Sequence, residues 1–227
     1  MGIGAIDYIL HCDRRPKMLV VTDIDEARLK RVAEILTVEE AARCGVNLIY
    51  SNKSDPAELL ALTNGEGYDD VFVYAPVAAV LELADKILGR DGCLNFFAGP
   101  TNPAFTAPFN FYNVHYASTH IVGTSGGNTD DMVESLRMME QGLINPSAMI
   151  THIGGLDCVI DTTMNLNKIP GGKKLIYTHI DMPLTAIEDF EKIDSPLFKK
   201  LADIIKTNNG LWNVEAEKTL LSQAGGI

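Results

Sequence analysis

Asp23 closes an apolar run, Met18-Leu19-Val20-Val21-Thr22, and about twenty residues before it the turn Met1-Gly2-Ile3-Gly4-Ala5 opens a helical stretch. Glycines that open a helix bring bare backbone N–H groups to a phosphate. An acid at the end of the following strand accepts hydrogen bonds from ribose hydroxyls. Together the two features are the chemistry of holding a dinucleotide. The plainer reading of Asp23 is a turn residue or a cap for the helix that follows.

No other cluster of ionisable residues competes with this pair. His11, His115, His120, His152 and His179 show no HxxxH or HExxH spacing. Cys12, Cys44, Cys93 and Cys158 form no CxxC pair, which is a poor zinc site and a poor disulfide framework. Scattered thiols suit a cytoplasmic protein. His152, beside Gly154 and Asp157, reads as a core or cap residue, and Cys93, in an apolar run, as a packing residue. The net charge of -11 over 227 residues argues against nucleic-acid or anionic-membrane partners. No apolar run reaches the ~18 residues of a membrane span. The first ten residues lack a basic region and are interrupted by Asp7, unlike a signal peptide.

Positioning a dinucleotide takes strands whose ends meet along one edge. Strand-like runs at 17–23, 47–50, 69–75 and 92–98 alternate with helical patterns at 25–44, from Asp55–Pro56 to Gly65, and at 77–88. Continuous apolar strands separated by helices imply a parallel sheet covered on both faces. Right-handed crossovers then give a doubly wound, Rossmann-like α/β fold. Past Gly99 the stretch 100–119 is rich in Pro, Asn and aromatics. A strand at 120–124, a helix from Gly126-Gly127-Asn128 to about Gly142, and short pieces at 148–153, 157–166 and 173–179 follow. The tail from Leu184 predicts two or three amphipathic helices, with Ser195–Pro196 as a start and Gly210 as a stop. The expected division is a dinucleotide-binding domain at 1–150, a return segment at 151–180 and a helical extension at 181–227.

In order, the runs MGIGA, VVTDIDEARLKRVAE, DDVFVYAP, GCLNFFAG, HIVGTSGG, INPSAMITHIGGLD and KIPGGKKLIYTH resemble the cofactor domain of the medium-chain (zinc-type alcohol) dehydrogenase/reductase family, its polyol and sugar-phosphate branch in particular. The resemblance implies NAD(P)-dependent oxidation of a secondary alcohol, with zinc polarising the alcohol oxygen and hydride passing to the nicotinamide. In the family the zinc ligands lie in an N-terminal domain with no counterpart here, so zinc is expected only there. By the same resemblance the chain starts inside the glycine turn, with Gly2 as its third glycine, and the first, central strand of the sheet is absent. That predicts a slot with unpaired backbone on both sides, to be filled by another polypeptide or removed by repacking. No catalytic residue, and no turnover by a chain truncated in this way, is expected.

By the resemblance, Asp23 takes the ribose diol and favours NAD, because the 2′-phosphate of the alternative, NADP, would meet a like charge. Arg28 matches a position that reaches the same ribose, or is a solvated helix charge. Ala75 and Pro76 flank the adenine or ribose side, Ala98 and Gly99 lie near the nicotinamide, and Thr124-Ser125-Gly126 offers backbone groups to the carboxamide. Ligands of open α/β sheets bind at the carboxyl ends of strands, so these positions also suit a sheet of this kind in general. Lys173 or Lys174, after Gly171–Gly172, pairs with the pyrophosphate, or the two are surface lysines. The implied partners are NAD(H), a small alcohol, polyol or sugar phosphate, and a second copy of the chain. The dimer is expected through 101–124, where Phe105, Phe109, Phe111, Tyr112, Tyr116 and Ile121 gather; the alternative is a loop folded onto its own core. The rival function is a non-catalytic dinucleotide-binding or oligomerisation module. A short-chain dehydrogenase is set aside, since the chain has no Tyr-x-x-x-Lys pair.

Overall fold

The computed structural model describes residues 1–223, which divide into two compact units. The sheet unit comprises Pro16–Ala33 and Val38–Arg137; the terminal unit comprises Met1–Arg15, Glu34–Thr37 and the chain from Met138 onward.

In the sheet unit, strand β1 (Met18–Thr22) pairs in parallel with β2 (Asn47–Ser51), Met18 opposite Asn47. Between them lie helices α2 (Glu26–Ile35) and α3 (Val38–Arg43). The sequence predicts one helix here. Thr37, followed three residues later by Glu40, is a capping-box pattern that starts a new helix just after buried Leu36. Helix α4 (Pro56–Ala61) begins at Asp55, whose carboxylate accepts from the Ala57 N–H at 2.9 Å. Strands β3 (Tyr68–Val73), β4 (Leu88–Phe96) and β5 (His120–Gly123) form a second parallel ladder, with α5 (Ala78–Ile87) crossing from β3 to β4. Strand β4 starts earlier than the 92–98 expected, because three glycines let the chains close up. A side chain on Gly67, whose φ is +83°, would meet the Gly89 Cα at 2.6 Å.

The parallel strands therefore form two ladders, β1–β2 and β3–β4–β5, rather than one. No strand pairing joins the two ladders among the described residues, in a sheet for which the sequence predicts an empty central slot. A strand hydrogen-bonds only to a neighbour ~4.8 Å away, so β1 and β3 each keep an edge outside the ladder. The core of this unit is Val73, Ala84 and Leu94, flanked by Val71, Leu81, Phe96 and Phe109.

The terminal unit begins with α1 (Gly2–His11). Its buried Asp7 accepts the Asn145 N–H at 2.7 Å and faces His11 Nδ1 at 3.2 Å, which ties the N-terminal helix to the chain that follows α7 (Thr129–Glu140). Strand β6 (Ile150–Gly155) pairs in parallel with β7 (Lys173–Tyr177) and antiparallel with the short β8 (Thr185–Ala186). Helix α8 (Val159–Met164) lies between β6 and β7 in sequence, and α9 (Pro196–Lys206) and α10 (Val214–Gln223) close the described chain. Ile153, Phe190, Leu201, Trp212, Ala216 and Leu220 form its core with neighbouring aliphatics. The segments 151–180 and 181–227, expected as separate pieces, thus share one core as far as residue 223, and α1 joins them.

Candidate cofactor-binding site

The carboxyl ends of the sheet unit's strands carry most of the expected site. The Asp23 N–H reaches the Ser51 carbonyl at 3.4 Å, holding the end of β1 beside the end of β2. Its Oδ1 accepts from the Asp25 N–H at 2.9 Å in a tight turn. Asp25, not Asp23, caps α2, accepting from Ala27 and Arg28 N–H groups at 3.0 and 3.2 Å. Among the described residues Asp23 Oδ2 is left with Arg28 alone, at 3.9 Å, while the Arg28 Nε sits 3.2 Å from Asp25. The turn reading of Asp23 is therefore correct for one oxygen, and the second stays open at the end of the strand.

Beyond β3, Tyr74 stacks obliquely on Phe97 with ring centres 5.5 Å apart, and burial raises its phenol above the ordinary range. The Val77 N–H returns to the Ala75 carbonyl at 2.9 Å, so Ala75 and Pro76 form a tight bend before α5. The Phe97 and Ala98 N–H groups both donate to the Val73 carbonyl at 3.1 Å, which sets the ends of β3 and β4 side by side. Ala98 is buried, and a side-chain carbon at Gly99 would touch nothing within 4 Å.

After β5, the Thr124 N–H donates to the Phe96 carbonyl at 3.4 Å and its hydroxyl to Asn95 Oδ1 at 3.1 Å. Ser125 and Gly126, the latter with φ +75°, are exposed. Asn128 then caps α7. Its Oδ1 accepts from the Asp130 and Asp131 N–H groups at 2.7 and 3.1 Å, and its own N–H donates to Asp131 at 2.7 Å.

Eight of the ten expected residues thus fall in one unit: Asp23, Arg28, Ala75, Pro76, Ala98, Gly99, Thr124 and Ser125. Gly2, the first residue of α1, and Lys173, the first of β7, belong to the other unit. Sequence reading missed Asp25 and Asn95. Asn95 left a signal, as the polar residue inside the apolar run GCLNFFA.

The donor set fits the ribose and nicotinamide ends of a dinucleotide. It offers one open carboxylate oxygen at Asp23, a small and unobstructed strand end at Ala98–Gly99, and exposed backbone at Thr124–Ser125. It does not fit zinc, since no group of three or more His, Cys, Asp or Glu is placed to hold a metal among the described residues. No described helix is long and apolar enough to cross a membrane.

Residues 2–141 match the family model described as zinc-binding dehydrogenase. The chain is 58% identical, over 97% of its length, to mannitol-1-phosphate 5-dehydrogenase of Aliivibrio fischeri. It is 42% identical, over its whole length, to L-sorbose 1-phosphate reductase of Klebsiella pneumoniae. It spans about half of each relative, 54% and 53% respectively. The crystal structure of 2R,3R-butanediol dehydrogenase from Bacillus subtilis matches 72% of the chain and 44% of its own, with a TM-score of 0.55 and 19% identity, a likeness of fold. The interrupted parallel ladders, the open acid after β1 and the match over residues 2–141 agree, and the chain belongs to the zinc-binding dehydrogenase family as part of its Rossmann-like cofactor-binding domain.

Proposed function

We propose that this chain is the dinucleotide-binding portion of an NAD(P)-dependent polyol or sugar-phosphate dehydrogenase or reductase, with NAD preferred over NADP. The observation that carries the reading is Asp23. It stands at the carboxyl end of β1 with one oxygen committed to its own turn and the other open. Hydrogen bonds from a ribose diol suit that second oxygen, and a 2′-phosphate would meet its charge. Arg28 orients the carboxylate from one side, although a surface pair of this length adds little energy of its own. Both relatives named above act on a phosphorylated six-carbon substrate by their names, which supports the substrate class. The four free cysteines support a cytoplasmic setting. A metal-assisted step would require ligands from outside the described residues.

Calorimetry with NAD and NADP, on the wild type and on Asp23→Ala, tests the reading. NAD should bind more tightly than NADP, and the substitution should remove about 1–3 kcal/mol of NAD affinity, the scale of hydrogen bonds to a charged group. Equal affinity for the two dinucleotides, or an indifferent Asp23→Ala, would count against it.

A symmetric dimer through β5 belongs to the same proposal. All four β5 residues are exposed, Ile121 at 50% and Val122 at 42%, on the terminal strand of the ladder. Phe111, Tyr112 and Tyr116 in α6 (Phe111–Tyr116) are more exposed still. Phe105 and Phe109 turn the other way. Phe105 stacks on Phe96 at 5.9 Å and Phe109 packs on the sheet unit's core, so two of the five aromatics serve the fold and three are left for a partner.

A further inference from the structure

A cavity of about 440 Å3 opens on the terminal unit, lined by α8, by the stretch from Leu166 to Ile169, and by the Gly171–Gly172 turn with the start of β7. That volume is within the ~300–1,000 Å3 of small-molecule sites. None of the side chains lining it is acidic, in a chain whose net charge is -11.

The turn is built tightly. Gly171 has φ +87°, and a side chain there would meet the Thr151 hydroxyl at 2.8 Å; one on Gly172 would run into the Met149 carbonyl. Both positions must stay bare, so backbone forms that wall of the cavity. The Lys174 ammonium donates to the Pro170 and Gly172 carbonyls at 2.9 and 2.8 Å, which clips the turn and leaves one N–H free. Burial lowers the Lys174 pKa below the ordinary range. Lys173 is exposed on the same wall, with no carboxylate partner among the described residues. From α8 comes Thr162, which is only 8% exposed; its hydroxyl makes no hydrogen bond among the described residues. Thr162 lines the cavity, so its unpaired hydroxyl is available to a ligand there. Leu166, Ile169 and Ile176 give the cavity an apolar side.

We propose that this cavity binds a small phosphomonoester. Lys173, the remaining N–H of Lys174 and the Thr162 hydroxyl hold the phosphate, and a short carbon skeleton lies against Leu166, Ile169 and Ile176. Two ammonium groups with a hydroxyl suit a dianion better than a neutral polyol, which would leave both charges unanswered. The site goes beyond the cofactor reading, which rests on Asp23 in the sheet unit, and the two fail independently.

The test is calorimetric titration of the 227-residue chain with a hexitol 1-phosphate, inorganic phosphate, the unphosphorylated hexitol and NAD. The hexitol 1-phosphate should bind, inorganic phosphate should compete with it, and the free hexitol should not bind. Lys173→Gln, at an exposed position, should weaken binding about tenfold, which is about 1.4 kcal/mol. Thr162→Val should weaken it several-fold, Thr162→Ser should retain it, and NAD affinity should not change in either threonine variant. No binding of the phosphomonoester, or equal binding of the free hexitol, overturns the proposal. So does wild-type affinity in both Lys173→Gln and Thr162→Val. Displacement of the phosphomonoester by NAD also overturns it, because Lys173 would then serve the pyrophosphate.

Discussion

The terminal and sheet units are built from similar amounts of chain but close their cores differently. In the terminal unit Phe190, Leu201 and Ala216 are fully buried, and Trp212 is 3% exposed. Phe190 meets Phe198 and Trp212 edge-on at 5.2 and 6.2 Å. The polar atoms within that core are paired. Trp212 Nε1 donates to the Tyr177 hydroxyl at 2.9 Å, which donates in turn to Glu217 at 2.5 Å. Burial first, and the Glu217 carboxylate second, push the Tyr177 phenol well above its ordinary range. In the sheet unit no β1 residue is buried, Phe72 is 46% exposed near the end of β3, and β5 is exposed throughout. The two buried side-chain oxygens without a partner among the described residues, on Asp85 and Thr119, both lie there. A parallel strand is apolar on both faces because it is built to be covered on both. An antiparallel strap such as β8, with helices folded over it, closes a core with the chain at hand. The difference locates the part of the molecule that depends on neighbours for its covers, and it is the part that holds the candidate site.

The largest expected effect follows from that contrast. Phe190→Ala should cost about 3–5 kcal/mol, because the packed terminal core cannot collapse around the void. Leu94→Ala in the sheet unit should fall toward the lower end of the ~2–5 kcal/mol range for such truncations, since looser surroundings relax into the gap. Urea denaturation followed by the fluorescence of Trp212, and by circular dichroism for the whole chain, measures both. Equal losses would break the contrast.

Much of the sheet unit was legible in the sequence because its elements are local. Apolar runs, Asp55–Pro56 and the glycines after each helix place strands and helices within a few residues. The restart of the helix at Thr37 was also written locally, in Thr37 and Glu40, but the apolar period running through Leu36 masks it. The site was legible only as strand ends. That Asp25 rather than Asp23 caps α2 depends on which oxygen meets which N–H, and neighbouring acids of one type look alike in sequence. The antiparallel strap β8, the union of α1 with the tail, and the cavity beside Thr162 depend on contacts between distant residues. Asp7 with Asn145 is the clearest case, since nothing near either residue announces the other.

A smaller effect separates the two units by charge. Asp85 Oδ2 accepts the Asn110 N–H at 3.1 Å, while its Oδ1 is buried without a partner among the described residues. Burial raises its carboxyl above the ordinary range, against the opposing pull of the Asn110 N–H and Lys86. A raised folded value means that folding takes up a proton. The stability it contributes is complete below the unfolded carboxylate value of ~3.9 and is lost as pH rises through the folded value. At pH 7 the charge is therefore a cost, and Asp85→Asn should stabilise the chain by on the order of 1 kcal/mol, the scale of one unsatisfied buried group. The gain should vanish near pH 3, where both forms are neutral. A gain that grows toward low pH would show that the sign is wrong.

The smallest effect on folding, and the most direct probe of what covers the sheet unit, lies at β5. Ile121 is half exposed on the terminal strand of its ladder, so replacing it should change stability by no more than about 0.5 kcal/mol in an isolated chain. If two copies join edge to edge through β5, the two Ile121 side chains share the interface. A charge introduced twice across the symmetry axis then repels itself. Ile121→Asp should leave the circular dichroism and the urea midpoint of the monomer unchanged while halving the mass found by light scattering at micromolar concentration. Phe109→Asp is not an equivalent test, because Phe109 packs against Val73 and Leu94 and its loss would disturb the fold itself. Phe111→Asp, at a 73% exposed position, is the proper companion. A wild-type monomer at those concentrations, or a dimer that survives both substitutions, would move the interface away from β5 and leave the exposed strand to a different covering surface.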